Sequence, residues 1–176
     1  MFITNNHIYL RAIESNDLEL LYACENNTAI WHISNAVAPF SKDVLQQYID
    51  TAHVDIYSTK QLRLMICLND THECAGTIDL FDFEPMHQRI GIGILIFENY
   101  RNKNIAFDSI GLVKNYCFNQ LLVNQLYCNI SASNEASIKL FEKCDFKQIG
   151  LKKQWNRISQ FNYEDEWLYQ CLLSEV

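Results

Sequence analysis

The chain has 176 residues, 49 % of them apolar and 12 % aromatic, with only five Gly and two Pro. This composition excludes long disorder, collagen-like repeats and linker-rich arrays, and the length fits one domain spanning 1–176. Fourteen Lys and Arg against 21 Asp and Glu leave a net charge of −7 without any basic run, so nucleic acid and anionic membranes are excluded as general electrostatic partners, whereas cationic small molecules are tolerated.

The first residues, Met1 to His7, lack the basic start and apolar run of a secretory leader, and no stretch approaches the roughly 20 apolar residues of a membrane span. A cytoplasmic location is expected. Seven cysteines (Cys24, Cys67, Cys74, Cys117, Cys128, Cys144 and Cys171) form no C-x-x-C pair, and the five histidines are scattered. They read as reduced, mostly buried thiols without a metal site.

In chain order, His7 to Ile13 alternates like a strand, and Asn16 to Glu19 resembles a capping box opening a helix with Leu18, Leu21 and Tyr22 inward. Residues 26–40 have no period and predict a loop. Ser41 is placed to cap a second helix with Val44, Leu45, Tyr48, Ile49 and Ala52 on one stripe. Strands are predicted for Gln61 to Leu68 and Ala75 to Phe83, then for the most regular segment, Ile90, Ile92, Ile94 and Ile96 at period two. Gly91 and Gly93 on the opposite face suggest a bulge or a closely approaching ligand.

A helix follows, with Ala106, Ile110, Val113 and Cys117 aligned. Then come a strand from Gln125 to Ala132, a helix capped by Ser133 or Asn134 with Ile138, Phe141 and Cys144 inward, and two strands, Phe146 to Gln154 and Phe161 to Leu173, joined near Asn156. The order β-α-α-β-β-β-α-β-α-β-β predicts an α+β fold: one mixed sheet of about seven strands with helices on both faces.

The strand–turn–helix at 90–118 carries the strongest chemical signal. A helix start exposes unpaired amides and a partial positive charge, a site for phosphate, and Arg101 and Lys103 add cations there. The other reading of the same residues is an ordinary solvated turn. A dinucleotide fingerprint is excluded, because Gly91-x-Gly93 is followed by Ile96 and lies inside the strand; a P-loop is absent.

Arg101-Asn102-Lys103-Asn104-Ile105-Ala106 resembles the Q/R-x-x-G-x-G/A motif of the GNAT superfamily of acetyl-CoA-dependent N-acetyltransferases, and Asn134 to Phe146 is similar to that family's N-x-x-S/A-x-x-L/I-Y/F-x-K-x-G-F signature. Leu10-Arg11-Ala12 followed by Asp17-Leu18 resembles the branch containing spermidine and ribosomal-protein N-acetyltransferases. The likeness runs over about residues 7 to 173 and implies acetyl-CoA as co-substrate. It further implies a pyrophosphate cradle from the amides of Arg101, Asn102, Lys103, Asn104, Ile105 and Ala106, and a pantetheine arm along Ile94, Leu95 and Ile96 flanked by Asn134, Ser137 and Phe141. The Ile94 strand would also supply an amide that polarises the thioester carbonyl.

This chain departs from the pattern in four places. Asn104 and Asp145 stand where the motifs have glycine; both types tolerate left-handed backbone. Phe141 replaces a tyrosine that protonates the leaving thiolate in many relatives, and Gly91 occupies the position of a glutamate often used as general base. Tyr127 is nominated as substitute acid, and Asp79, Asp82 and Glu84 as proton acceptors through water; the carboxylates also read as a solvated strand face and turn.

Trp31, His32, Phe40 and Tyr57 fall where the resemblance implies an acceptor entrance, with partial core as the other reading. Tyr163 to Trp167 reads either as a hairpin surface or as carboxylates facing a cationic substrate. Cys128 and Cys144 read as inert. The expected activity is acetylation of a primary amine, either a small polyamine-like molecule or a peptide N-terminus. Ile33 to Val37 lacks the acidic residues of polyamine-acetylating relatives. The alternative is a catalytically degenerate member that binds CoA or a protein partner, and assembly into a homo-oligomer is left open.

Overall fold

A computed structural model describes residues 3–28, 31 and 37–173. Among these described residues eight strands form one sheet: β1 (Ile3–Thr4), β2 (Ile8–Ala12), β3 (Leu62–Leu68), β4 (Cys74–Glu84), β5 (Arg89–Ile96), β6 (Gln125–Ser131), β7 (Lys147–Arg157) and β8 (Tyr163–Leu172). Their spatial order is β1-β2-β3-β4-β5-β6-β8-β7, antiparallel throughout except for the parallel β5–β6 pair. The strand beyond the expected seven is β1, which at two residues is too short to carry a period.

Five α-helices flank the sheet among the described residues: α1 (Leu18–Glu25), α2 (Lys42–Thr51), α3 (Ile56–Thr59), α4 (Ile105–Asn119) and α5 (Glu135–Lys143). Alternation along β3 splits the core in two. Leu64 and Ile66 join Ile110, Val113 and Cys117 of α4 and Phe141 of α5 on one face, while Met65 and Cys67 join Leu21 of α1 and Leu45 and Ile49 of α2 on the other. Burial of these aliphatic side chains, at about 25 cal/mol per Å² of apolar surface, holds the layers together.

The helix starts follow capping chemistry. Ser41 Oγ accepts from the Val44 amide at 3.2 Å and Asn134 Oδ1 from the Ser137 amide at 3.1 Å. The capping box ahead of α1 is formed by Glu14 and Asp17 rather than by Asn16 and Glu19 as expected, because buried Asp17 reaches back to the Glu14 amide and takes two bonds from the Arg11 guanidinium at 2.7 and 2.8 Å. Three further expectations are corrected. Tyr22 is partly exposed rather than inward, because Leu21 fills the position against the sheet. Ile105, not Ala106, begins the buried stripe of α4. The β7–β8 hairpin turns at 158–162 rather than near Asn156, which is paired with Glu164; a bulge at Gln154 lets β7 continue to Arg157.

Candidate active site

The β5–β6 ladder is short. Arg89, Ile90 and Gly91 pair with Gln125, Leu126 and Tyr127, and there it stops, although β5 runs on to Ile96 and β6 to Ser131. Beyond Gly91, β5 keeps its β4 partners, Leu95 opposite Thr77 and Ile94 opposite Ile78, while its other edge has parted from β6. Ile94, Leu95 and Ile96 are correspondingly half-buried, whereas Ile90 and Ile92 are fully buried. A strand edge with unpaired backbone inside a cleft is a ready template for an extended, amide-bearing ligand.

The turn after β5 leads into α4 through two left-handed asparagines, Asn102 at φ 61° and Asn104 at φ 59°. Asn104 is the N-cap of α4, yet its side chain makes no capping bond. Among the described residues no side-chain cap therefore covers the first amides of α4, and the first turn closes through the Asp108 amide on the Asn104 carbonyl at 3.0 Å. Asp108, the acid of that turn, faces away to His7 Nδ1 at 2.7 Å. Arg101 Nε donates to the Ile96 carbonyl at 3.2 Å, tying the turn to the end of β5, and the Lys103 ammonium stands 5.4 Å from the Tyr100 ring centre. An uncapped helix start beside two cationic side chains suits a pyrophosphate.

On the α1–α2 face, beside the parting of β5 and β6, lies a cleft of about 410 Å³ between these helices and β3–β4. Its charged groups are Glu25, Arg63 and Asp79, and the uncharged Gln61 also lines it. Arg63 Nε and Nη2 reach the two Asp79 oxygens at 2.6 and 3.0 Å, and Nη1 reaches Glu25 Oε1 at 2.5 Å. Burial alone would lower the Arg63 pKa, but the Asp79 bonds outweigh it and raise the guanidinium above its usual range. Farther along β4, Asp82 Oδ2 accepts from the Tyr127 hydroxyl at 3.2 Å. Burial first, then the Asp82 charge and hydrogen bond, push the Tyr127 phenol up to about 12.

A model of the acetyltransferase (GNAT) domain matches residues 7–147. The chain belongs to the GNAT acetyltransferase family. It is accordingly an acetyl-CoA-dependent N-acetyltransferase. It is similar to an uncharacterized N-acetyltransferase of Bacillus subtilis (strain 168), YoaA, with 26 % identity over 153 residues covering 87 % of this chain and 86 % of that one. It is also similar to the spermidine N(1)-acetyltransferase of Vibrio cholerae, with 23 % identity over 147 residues, 83 % of this chain and 82 % of that one. The crystal structure of spermidine N-acetyltransferase from Vibrio cholerae in complex with CoA and spermine matches with a TM-score of 0.86 and 22 % identity over 97 % of this chain and 98 % of that one, a likeness of fold.

Within this GNAT fold, Arg101 to Ala106 and the Ile94–Ile96 edge adjoin one another, with Asn134 and Ser137 joined at the start of α5. Asp145 takes the left-handed angle expected of a glycine substitute, φ 68°, and its carboxylate meets Lys114 Nζ at 3.2 Å. Phe141 is buried edge-on against Phe146, ring centres 5.0 Å apart, and brings no hydroxyl. Gly91 has a packing reason: a Cβ there would sit 2.6 Å from Phe81 Cδ2, so the Phe81 ring fills the space of a side chain.

The GNAT site does not gather every candidate. Phe40 lines the cleft, but Tyr57 packs edge-on to Phe83, and Trp31 donates to the Glu25 carbonyl at 2.8 Å. His32 and residues 33–36 lie outside the described residues. Glu84 is exposed near the β4–β5 turn. On β8, Glu166 is bonded to Lys152 and Asp165 accepts from the Gln154 amide, both within the β7–β8 hairpin, whereas Glu164 accepts from the Ser133 amide ahead of α5. Burial raises the Cys128 and Cys144 thiols, the latter to about 11, so neither is a poised nucleophile. Sequence reasoning missed Arg63, Glu25 and Phe81. The first two meet across 38 residues of chain, and no local spacing signals it.

Among the described residues no helix is long and apolar enough to cross a membrane, and no group of His, Cys, Asp or Glu is arranged to hold a metal.

Proposed function

We propose that this protein transfers the acetyl group of acetyl-CoA to a primary amine by direct attack of the neutral amine on the thioester. The observation that carries the proposal is the edge of β5 freed from β6 beyond Gly91, continuous with the uncapped start of α4. The amides of Arg101 to Ala106 would hold the pyrophosphate. Ile94, Leu95 and Ile96 would hydrogen-bond the pantetheine arm, with Asn134, Ser137 and Phe141 flanking it. Acetyl-CoA brings an acetyl carbon already activated as a thioester.

The Ile94 amide is assigned to polarising the thioester carbonyl, an oxyanion-hole role. The amine nitrogen bonds to the carbonyl carbon, the carbon–sulfur bond breaks, and the thiolate leaves with the electron pair. Tyr127, protonated throughout the neutral range, is assigned to donating to that sulfur in place of the hydroxyl Phe141 lacks. The acceptor's ammonium gives one proton to solvent by way of exposed Asp82 before the attack, and the proton shed by the nitrogen once it is bonded to the carbonyl carbon leaves by the same route. Asp79, engaged by Arg63 on both oxygens, acts as a fixed charge. The acceptor class is a primary amine; the relatives' names bring a small polyamine-like molecule into the panel to be tested, beside a peptide N-terminus and monocationic amines.

The competing reading, a degenerate member that binds CoA without transfer, rests on Phe141 and Gly91. Release of free thiol from acetyl-CoA on mixing with a panel of primary amines, alongside calorimetry with CoA, decides between them. Transfer predicts amine-dependent thiol release; binding without release with any amine overturns it.

A further inference from the structure

Among the described residues, every charged group lining the cleft beside β3 and β4 is already committed. Asp79 accepts from Arg63 on both oxygens and Glu25 on one, so two carboxylates share one internal guanidinium and the cluster carries a residual charge of −1. Apart from the uncharged Gln61, the rest of the lining is apolar or aromatic, with Phe40, Val44, Leu45, Tyr48 and Phe81 prominent. Arg63 also stands 5.7 Å from the Tyr48 ring centre, which fixes the guanidinium from a third side.

The lining of the cleft reaches the part of β4 that pairs with β5 where β5 and β6 part. Asp79 and Phe81, which line it, are the cross-strand partners of Gly93 and Gly91. A Cβ on Gly93 would meet only Phe81 Cε1, at 3.8 Å, so the missing side chain leaves a lane from the cleft to the β5 edge. An acceptor seated in the cleft can therefore present its nitrogen at that edge.

We infer that the acceptor is a primary amine with a single positive charge on an apolar, preferably aromatic body, because Arg63 already occupies the place that a further ammonium of a polycation would take. This rests on the acetyl-transfer reading above. One residual negative charge welcomes one ammonium as it enters; a second would be taken from water into an apolar cleft against a guanidinium, which repels it. The apolar walls bind the body of the substrate by burial. Arg63 is thus a specificity residue: it does not touch the reacting atoms but decides which amines enter.

The test measures kcat/KM for phenethylamine, a monocationic aryl amine, and for spermidine with the intact enzyme, by thiol release. The wild type is expected to favour phenethylamine by about tenfold or more. Arg63→Gln, which frees Glu25 and Asp79, is expected to lower that ratio through a smaller KM for spermidine, while Arg63→Lys keeps the wild-type order. Equal or better use of spermidine by the wild type overturns the inference and leaves acetyl transfer standing. Absence of turnover with either amine and with the wider panel overturns acetyl transfer and this inference together. Should Arg63→Gln fail to fold, the wild-type ratio alone still decides.

Discussion

Gly91 and Tyr127 are the last residues that pair across β5 and β6, and Phe81 packs onto both, edge-on to the Tyr127 ring at 6.0 Å between centres and over the bare Cα of Gly91. The point at which the sheet opens is therefore set by a ring that needs a glycine beneath it. Gly91→Ala should force the Phe81 ring to move and cost about 1–3 kcal/mol in chemical denaturation. In a Phe81→Leu background the same substitution should cost less. A Gly91→Ala variant as stable as wild type would show that the ring does not fill this space.

The start of α4 provides a second test. Ala106→Asp adds a carboxylate in the first helical turn, where it suits the helix but opposes a pyrophosphate. The fold should be retained and acetyl-CoA binding weakened by about 1–3 kcal/mol, read as the change in calorimetric dissociation constant. An unchanged constant contradicts the assigned cradle.

Tyr127→Phe removes the hydroxyl assigned to the leaving sulfur, and kcat should fall by about 10²-fold while the KM for acetyl-CoA holds. The same substitution has a signature in stability. Because the folded-state pKa is raised to about 12, the unfolded chain loses this proton first as pH rises. The stabilisation is complete below the ordinary phenol value of about 10 and is lost between there and pH 12. Urea denaturation of wild type and Tyr127→Phe across that window should show the smaller loss in the variant.

Asp17 makes the opposite case. Its burial would raise the carboxyl, but the Arg11 bonds and the Glu14 amide at 2.8 Å prevail and hold it below the usual carboxylate range. The unfolded state then takes up the proton first as pH falls. The contribution is full above about pH 4 and is lost as the pH drops through the folded-state value. Asp17→Asn should cost about 3 kcal/mol at pH 7, with the difference from wild type narrowing in acid.

Much of this fold was legible because it is written in short-range pattern. The period-two isoleucines of β5, the Ser41 and Asn134 caps, and the motif turn before α4 each depend on residues a few positions apart. Asn104 and Asp145 could be read as glycine substitutes because left-handed backbone is a local property, and both adopt it. What escaped is long-range. The Arg63–Glu25–Asp79 cluster joins α1, β3 and β4, and the need for glycine at 91 comes from the Phe81 ring on the neighbouring strand. The parting of β5 from β6 is likewise a property of two strands, and neither sequence alone contains it.

The central claim is that the β5 edge beyond Gly91 and the start of α4 together hold the acetyl carrier, and a crystal structure of the protein with CoA tests it most directly. The account predicts pyrophosphate oxygens within hydrogen-bond distance of amides between Arg101 and Ala106, and the pantetheine arm paired along Ile94 to Ile96. A carrier bound elsewhere, with those amides facing only solvent and β5 closed onto β6, would contradict it.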